Sequence, residues 1–272
     1  MADSSPPRKN FDLIKRGVKK PNVPGTLTFI GLRGLDPFLQ YQLVAGGLGA
    51  SILGRIGVRT IPLDVAALFT TAVSLLDNLS LPLPHLILLG MSVGSFAKQA
   101  YWLVSLSAEE FPVSNAVTVS FYNTLVNSAN SLLLLAASTS VLNSPRYFPG
   151  TALPYQVVLG SALYAVGMFL ETASEWQRKQ FKQRPENKGK VMKSGLWSWA
   201  RHINYGGYAM WRAGYCMAAS GFIGGTIMGV WQAVDFLSRG VPALNEYCSK
   251  RYGEQWTQFK KEVPWVLIPG IY

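Results

Sequence analysis

The sequence has little charge. Only 14% of its 272 residues are Asp, Glu, Lys or Arg, while 49% are hydrophobic; a soluble domain carries about a quarter charged residues. That shortage argues against a water-soluble globule and for a helical bundle in a membrane. Acids are the scarcer sign, with 14 Asp and Glu against 25 Lys and Arg and a net charge of +11. Cysteine is nearly absent. Cys216 and Cys248 are too few for a disulfide framework and read as free thiols. The two histidines, His85 and His202, lie far apart, and no Cys/His cluster has metal-ligand spacing, so no metal centre is expected. No repeat of fixed period is present. The opening MADSSPPRKN is polar and Pro-rich, with no apolar stretch behind its charges, so no signal peptide is expected.

The basic residues that are present are clustered. Residues 8–20, residues 178–201 and the four of Lys250, Arg251, Lys260 and Lys261 together hold 18 of the 25. Such clusters between apolar stretches follow the positive-inside rule for cytoplasmic loops. They need no nucleic acid, and none is expected as a partner. Residues 1–36 read as a cytosolic arm.

Apolar stretches cover Phe38–Val58, Pro62–Leu76, His85–Leu106, Ala116–Leu142, Leu153–Ala173 and Tyr208–Leu237. A spanning helix needs about 20 mostly apolar residues, which the third to fifth supply. The first carries Arg55, and the second is short and contains Asp64. The last, at 30 residues, would run about 45 Å as one helix. Gly221, Gly224 and Gly225 near its middle predict a tight break. The expected fold is all-α, a polytopic membrane bundle of about six to seven helices with both termini cytosolic. An even number of crossings must separate the basic arm from the 178–201 loop, yet five stretches lie between them.

Polar residues inside spans are costly and draw attention. Lys98 lies deep in the third stretch, with Tyr101 and Trp102 on the same helical face; it either meets a substrate or snorkels to the interface. Asn123, Asn127 and Asn130 recur at i, i+4 and i+7, beside Tyr122. They either line a substrate site or tie helices together. Glu109 and Glu110 mark a span boundary. Glu171 and Glu175 lie one turn apart, with Arg178 a turn further on, facing the basic loop. They form either an interfacial charge network or a carboxylate grip on a cofactor whose phosphates the nearby Lys and Arg would hold. Arg201, His202, Asn204 and Tyr205 bring a cation, donors, acceptors and an aromatic face to one short turn, which suits an anionic, ring-containing ligand.

These residues resemble the C-terminal domain of the steroid 5-alpha-reductase-like membrane enzymes. The resemblance runs through Glu171, Glu175, Gln177 and Arg178, then Gly195-Leu196-Trp197, then Arg201-His202-Ile203-Asn204-Tyr205-Gly206-Gly207. It ends in Arg251-Tyr252-Gly253, Trp256, Phe259 and Ile268-Pro269. It covers residues 165–272, and the stretch before 160 matches only in general character. The resemblance implies a substrate-side half over residues 37–160 and a cofactor-binding half over 161–272, with NADPH bound at the cytosolic face. By position, Glu171, Glu175, Arg178, Arg201, His202, Asn204, Tyr205 and Tyr252 would contact the cofactor. Ile203 replaces the family's usual Pro, and Tyr208 replaces its usual Glu.

The expected function is NADPH-dependent reduction of a lipophilic, sterol- or enone-like double bond at the endoplasmic reticulum. Tyr101, Tyr122 and Glu109 are the candidate acids, and Lys98, Trp102, Asn123 and Asn127 the substrate-facing residues. The rival expectations are S-adenosylmethionine-dependent methyl transfer, since distantly similar isoprenylcysteine methyltransferases carry a related Arg-His turn, and a non-catalytic scaffold of the same fold.

Overall fold

The computed structural model describes residues 15–19, 22–62, 78–107, 109–144 and 146–271, with side chains from residue 22 onward. It is 75% helical. The elements are β1 (Lys15–Lys19), α1 (Val23–Val44), α2 (Leu48–Arg55), α3 (Leu83–Tyr101), β2 (Glu109–Glu110), α4 (Val113–Leu135), α5 (Tyr155–Gln183), α6 (Ile203–Asp235), α7 (Val241–Tyr252) and α8 (Glu254–Glu262). The stretch Pro62–Leu76 lies almost wholly outside the described residues.

The helices run between two ends of one bundle. At one end β1 pairs antiparallel with β2, and Asn22 Nδ2 donates to the Glu109 carbonyl at 2.6 Å. There too Lys179, near the end of α5, donates to the Ser105 carbonyl at 2.5 Å, just past α3. The start of α1, the end of α3, the start of α4 and the end of α5 therefore share this end, with the basic loop. At the far end Leu88 of α3, Leu134 of α4, Val157 of α5 and Ala218 of α6 meet in the largest core cluster. Among the described residues, α1, α3, α4 and α5 thus make four passes along the bundle between the N-terminal strand and the basic loop.

α1 begins at Val23, inside the stretch read as an arm. The hydropathy pattern hides this because Arg33 and Asp36 interrupt it. The two are wholly buried and pair at 2.8 Å, so their charges cancel inside the bundle.

α5 and α6 pack backbone to backbone. A Cβ on Gly160 would lie 2.6 Å from the Gly214 carbonyl, and one on Gly207 2.7 Å from the Glu171 amide. Gly160 and Gly167 face Gly207 and Gly214, so each helix presents small residues seven apart, the spacing that lets apolar helices approach closely.

α6 is broken at Gly221, whose φ of 80° and ψ of −169° only glycine adopts readily. Its second arm folds back along the first: a Cβ on Gly229 would meet Ala213, Gly225 faces Met217, and Gly240, just beyond the helix, faces Tyr205. The glycine-rich middle of the stretch is therefore a hairpin turn, as its sequence predicts. Among the described residues, two helical segments are long and apolar enough to cross a membrane, Tyr155–Gln183 and Ile203–Tyr252. α1 and α4 have 22 and 23 residues, about 33 Å at the standard rise, but the polar side chains described next lower their hydropathy.

Candidate functional site

The end of α5 and the start of α6 build a polar rim. Glu175 is 6% exposed. Its Oε2 accepts from Arg178 at 2.5 Å and its Oε1 from Asn204 Nδ2 at 2.7 Å. Asn204 Oδ1 is buried without a partner. The loop before α6 is pinned here: Trp197 Nε1 donates to the Ser174 carbonyl at 2.8 Å, and the Leu196 amide donates to Gln177 at 3.0 Å. The Arg178 guanidinium lies 5.4 Å from the Trp197 ring. His202 and Tyr205 stack at 5.7 Å, and Tyr205 stacks on Phe236 of the returning arm at 4.3 Å.

Glu175, Arg178 and Asn204 therefore meet, and His202 and Tyr205 form an aromatic wall beside them. Arg201 turns to the C-terminal tail, donating to the Val263 carbonyl at 2.7 Å and the Pro264 carbonyl at 3.0 Å. Tyr252 accepts from Lys182 at 2.9 Å. Glu171 faces the interior, where it pairs with Lys98 and accepts from Trp211 Nε1 at 2.7 Å. Among the candidate acids, Tyr101 is 42% exposed, and Glu109 sits in β2. Tyr122 lies inside, accepting from Gln232 at 2.6 Å. Trp102 packs beside Phe29 and Phe111.

A second polar centre lies deeper, and the sequence reading missed most of it. Arg33 donates to Gln99 at 3.0 Å and Ser95 at 3.2 Å. Asp36 accepts from Arg33 at 2.8 Å, Gln40 at 2.8 Å and Asn127 at 2.7 Å. Asn127 Oδ1 accepts from Arg212 at 3.1 Å. Asn123 Oδ1 accepts from Gln99 at 2.7 Å and also from Arg212. Arg212 Nε donates to the Tyr208 hydroxyl at 3.2 Å. On α6 the positions 204, 208 and 212 recur every four residues. They form one track about 12 Å long from the rim to the interior. Arg212, charged within an apolar stretch, was the signal that could have found this centre.

A groove of about 590 Å³ lies beside the rim, lined by Leu170, Trp199, Ile203, Met210 and Trp265 among others. Its walls are apolar, and none of Glu175, Asn204 or Arg212 lines it. It suits a hydrocarbon rather than a nucleotide. Among the described residues no group of His, Cys, Asp and Glu is placed to hold a metal.

The fold is a helical bundle with a polar rim at one end and a buried polar centre within it. Residues 109–263 match the family described as "Protein of unknown function (DUF1295)", and the chain belongs to that family, within the steroid 5-alpha-reductase-like superfamily. The chain is 35% identical over 245 residues to the "Probable O-methyltransferase ustE" of Ustilaginoidea virens, covering 89% of this chain and 84% of that protein. It is 36% identical over 85 residues to the "Probable 7-dehydrocholesterol reductase" of Acanthamoeba polyphaga mimivirus, covering 30% of this chain and 19% of that protein. It is 34% identical over 85 residues to the "Delta(14)-sterol reductase" of Methylotuvimicrobium alcaliphilum, with the same coverages. The chain thus spans about a fifth of these two reductases.

Proposed function

We propose that this protein is a membrane-embedded enzyme that transfers a methyl group from S-adenosylmethionine to an oxygen of a lipophilic substrate. The likeness along 89% of the chain to a protein named as an O-methyltransferase carries this reading. The sterol reductases match only 30% of it. Tyr208 adds support: where the reductase-like pattern has Glu, this chain has a hydroxyl bonded to Arg212.

The rim fits such a cofactor. The Glu175 carboxylate and the unpartnered Asn204 Oδ1 are acceptors for its ammonium or adenine N–H groups. The stacked His202, Tyr205 and Phe236 offer a rigid aromatic wall. When bound, the cofactor would supply an electrophilic methyl group. Glu175 and Asn204 would orient it toward α6, and Tyr208 with Arg212 would face the acceptor oxygen and favour its anionic form. The surrounding helices would exclude water.

NADPH-dependent reduction of a double bond is the second reading, supported by the motif Gly195-Leu196-Trp197 to Tyr205 and the partial reductase likeness. In that reading Tyr122, 5.6 Å from Arg212 across its ring, is the acid nearest the interior. On the protein side, α1, α3, α4, α5 and the two arms of α6 would enter or cross the bilayer as six segments. The basic end and both termini would then face the cytosol of an endoplasmic-reticulum membrane. Equilibrium binding of S-adenosylmethionine and of NADPH to the purified protein separates the two readings. A preference for NADPH would replace the first with the second.

A further inference from the structure

We propose that Arg212 is an anion subsite in the bundle interior and that the lipophilic ligand bound there carries a carboxylate. The inference rests on reading that interior as the substrate's place, and it holds for either cofactor.

Arg33, Asp36 and Arg212 are wholly buried, so two cations share one network with a single acid. Asp36 is committed, accepting from Arg33, Gln40 and Asn127. The nearby Lys98 and Glu171 neutralise each other. Arg212 has only neutral partners, Tyr208, Asn127 and Asn123, and among the described residues no carboxylate pairs with it. A guanidinium does not shed its proton. An unpaired charge so placed is expensive and marks a functional position. The rings of Trp211, Tyr208 and Tyr122 lie 4.2, 5.4 and 5.6 Å from the Arg212 guanidinium. They soften its charge without cancelling it.

The missing partner is one negative charge. Each guanidinium nitrogen of Arg212 donates one hydrogen bond, to Tyr208, Asn127 and Asn123, which leaves a further N–H on each terminal nitrogen. Two donors and one charge match a carboxylate. A phosphate dianion would need further cations than this network holds. The same face of α4 also carries unmet polar atoms: Ser120 Oγ, and both amide atoms of the wholly buried Asn130. Beside Arg212, Tyr122 accepts from Gln232 at 2.6 Å and packs against Trp231, which is 49% exposed.

The test uses the full chain in nonionic detergent, without cofactor, and follows its thermal unfolding by tryptophan fluorescence. The probes are oleic acid, methyl oleate and oleyl alcohol, plus abietic acid and its methyl ester as a rigid pair. A ligand that binds only the folded state raises the unfolding temperature. The expected result is that at least one acid stabilises with an apparent affinity about tenfold or more above its ester or alcohol. The preference should fade as acidification protonates the probe. Arg212→Gln should abolish it, Arg212→Lys should weaken binding while keeping it, and the exposed-loop variant Lys188→Gln/Lys190→Gln should leave it intact. Acids and esters acting alike on the unmodified protein, which requires no variant to fold, would overturn the proposal. So would an acid preference that survives Arg212→Gln, or sodium acetate alone matching the acids. Cofactor binding measured on the same preparation keeps the failures apart. A cofactor bound with no acid preference removes the subsite only, and an acid preference with no cofactor bound removes the proposed reaction only.

Discussion

Glu175 and Asn204 hold the rim together through one hydrogen bond of 2.7 Å. Asn204→Ala removes both that bond and the open acceptor, so cofactor affinity should fall about tenfold or more, roughly the worth of a hydrogen bond to a charged group. Titration of the purified variant against the cofactor reads this directly. The pair of Lys98 and Glu171 is a different case. Both side chains are nearly buried, at 10% and 13% exposure, so Lys98→Met strands a carboxylate and should cost about 3–5 kcal/mol of stability. Adding Glu171→Gln should recover most of the loss, measured as unfolding temperature in detergent. Glu262 accepts two hydrogen bonds from Lys193, at 3.0 and 2.8 Å, and these bonds, with Gln258, lower its pKa. A lowered carboxylate pKa stabilises fully above the unfolded value, about 4.3, and that contribution is lost as pH falls through the lowered folded value. The tie between the basic loop and α8 should therefore hold at neutral pH and release only in acid, seen as faster proteolysis of residues 184–194. At this scale the sequence was legible where residues sit close together, as with Glu175, Arg178 and the turn holding Asn204. It was opaque for Arg33, Asp36 and Gln99, whose partners lie on other helices, and for Arg201, whose tail carbonyls carry no sequence signature.

Helices in this protein are shaped by glycine as much as by hydropathy. A Cβ on Gly167 would run into the backbone of α6 at Gly207 and Trp211, and a neighbour's backbone yields little. Gly167→Ala should lower stability by about 1–3 kcal/mol, read by thermal unfolding. Gly221→Ala forces a side chain into a glycine-only conformation at the hairpin turn, for a further cost of about 1–3 kcal/mol. It should also loosen Phe236 from Tyr205, so that the emission of Trp231 on the same arm shifts. Hydropathy located α3, α4, α5 and α6 well because their apolar runs are long. It placed the first helix late because the Arg33–Asp36 pair reads as polar sequence, although the charges meet inside the bundle. The turn at Gly221 was visible because only glycine clusters there.

The whole molecule carries two polar centres at different depths. Basic side chains and aromatic rings gather at one end, a polar centre lies within the bundle, and the 204–208–212 track of α6 joins them. Charge clustering in the sequence indicated the first, since 18 of 25 basic residues fall in three stretches. The second depends on which helices are neighbours, which no linear pattern encodes. Tyr208 sits on this track between the rim and Arg212, so a variant there should act on the proposed reaction rather than on cofactor binding. Tyr208→Phe removes the hydroxyl that accepts from Arg212 and should lower turnover with little change in cofactor affinity, read as a drop in kcat at unchanged cofactor Kd.

The central claim is that the Glu175–Asn204 rim grips the adenosyl cofactor. Equilibrium titration of the full chain in detergent with S-adenosylmethionine and, separately, NADPH tests it most directly, alongside Asn204→Ala. The account predicts saturable binding of S-adenosylmethionine at least about tenfold tighter than NADPH, a difference of about 1.4 kcal/mol, and a marked loss in the variant. A folded protein that binds neither molecule, or an affinity that Asn204→Ala leaves unchanged, would contradict it.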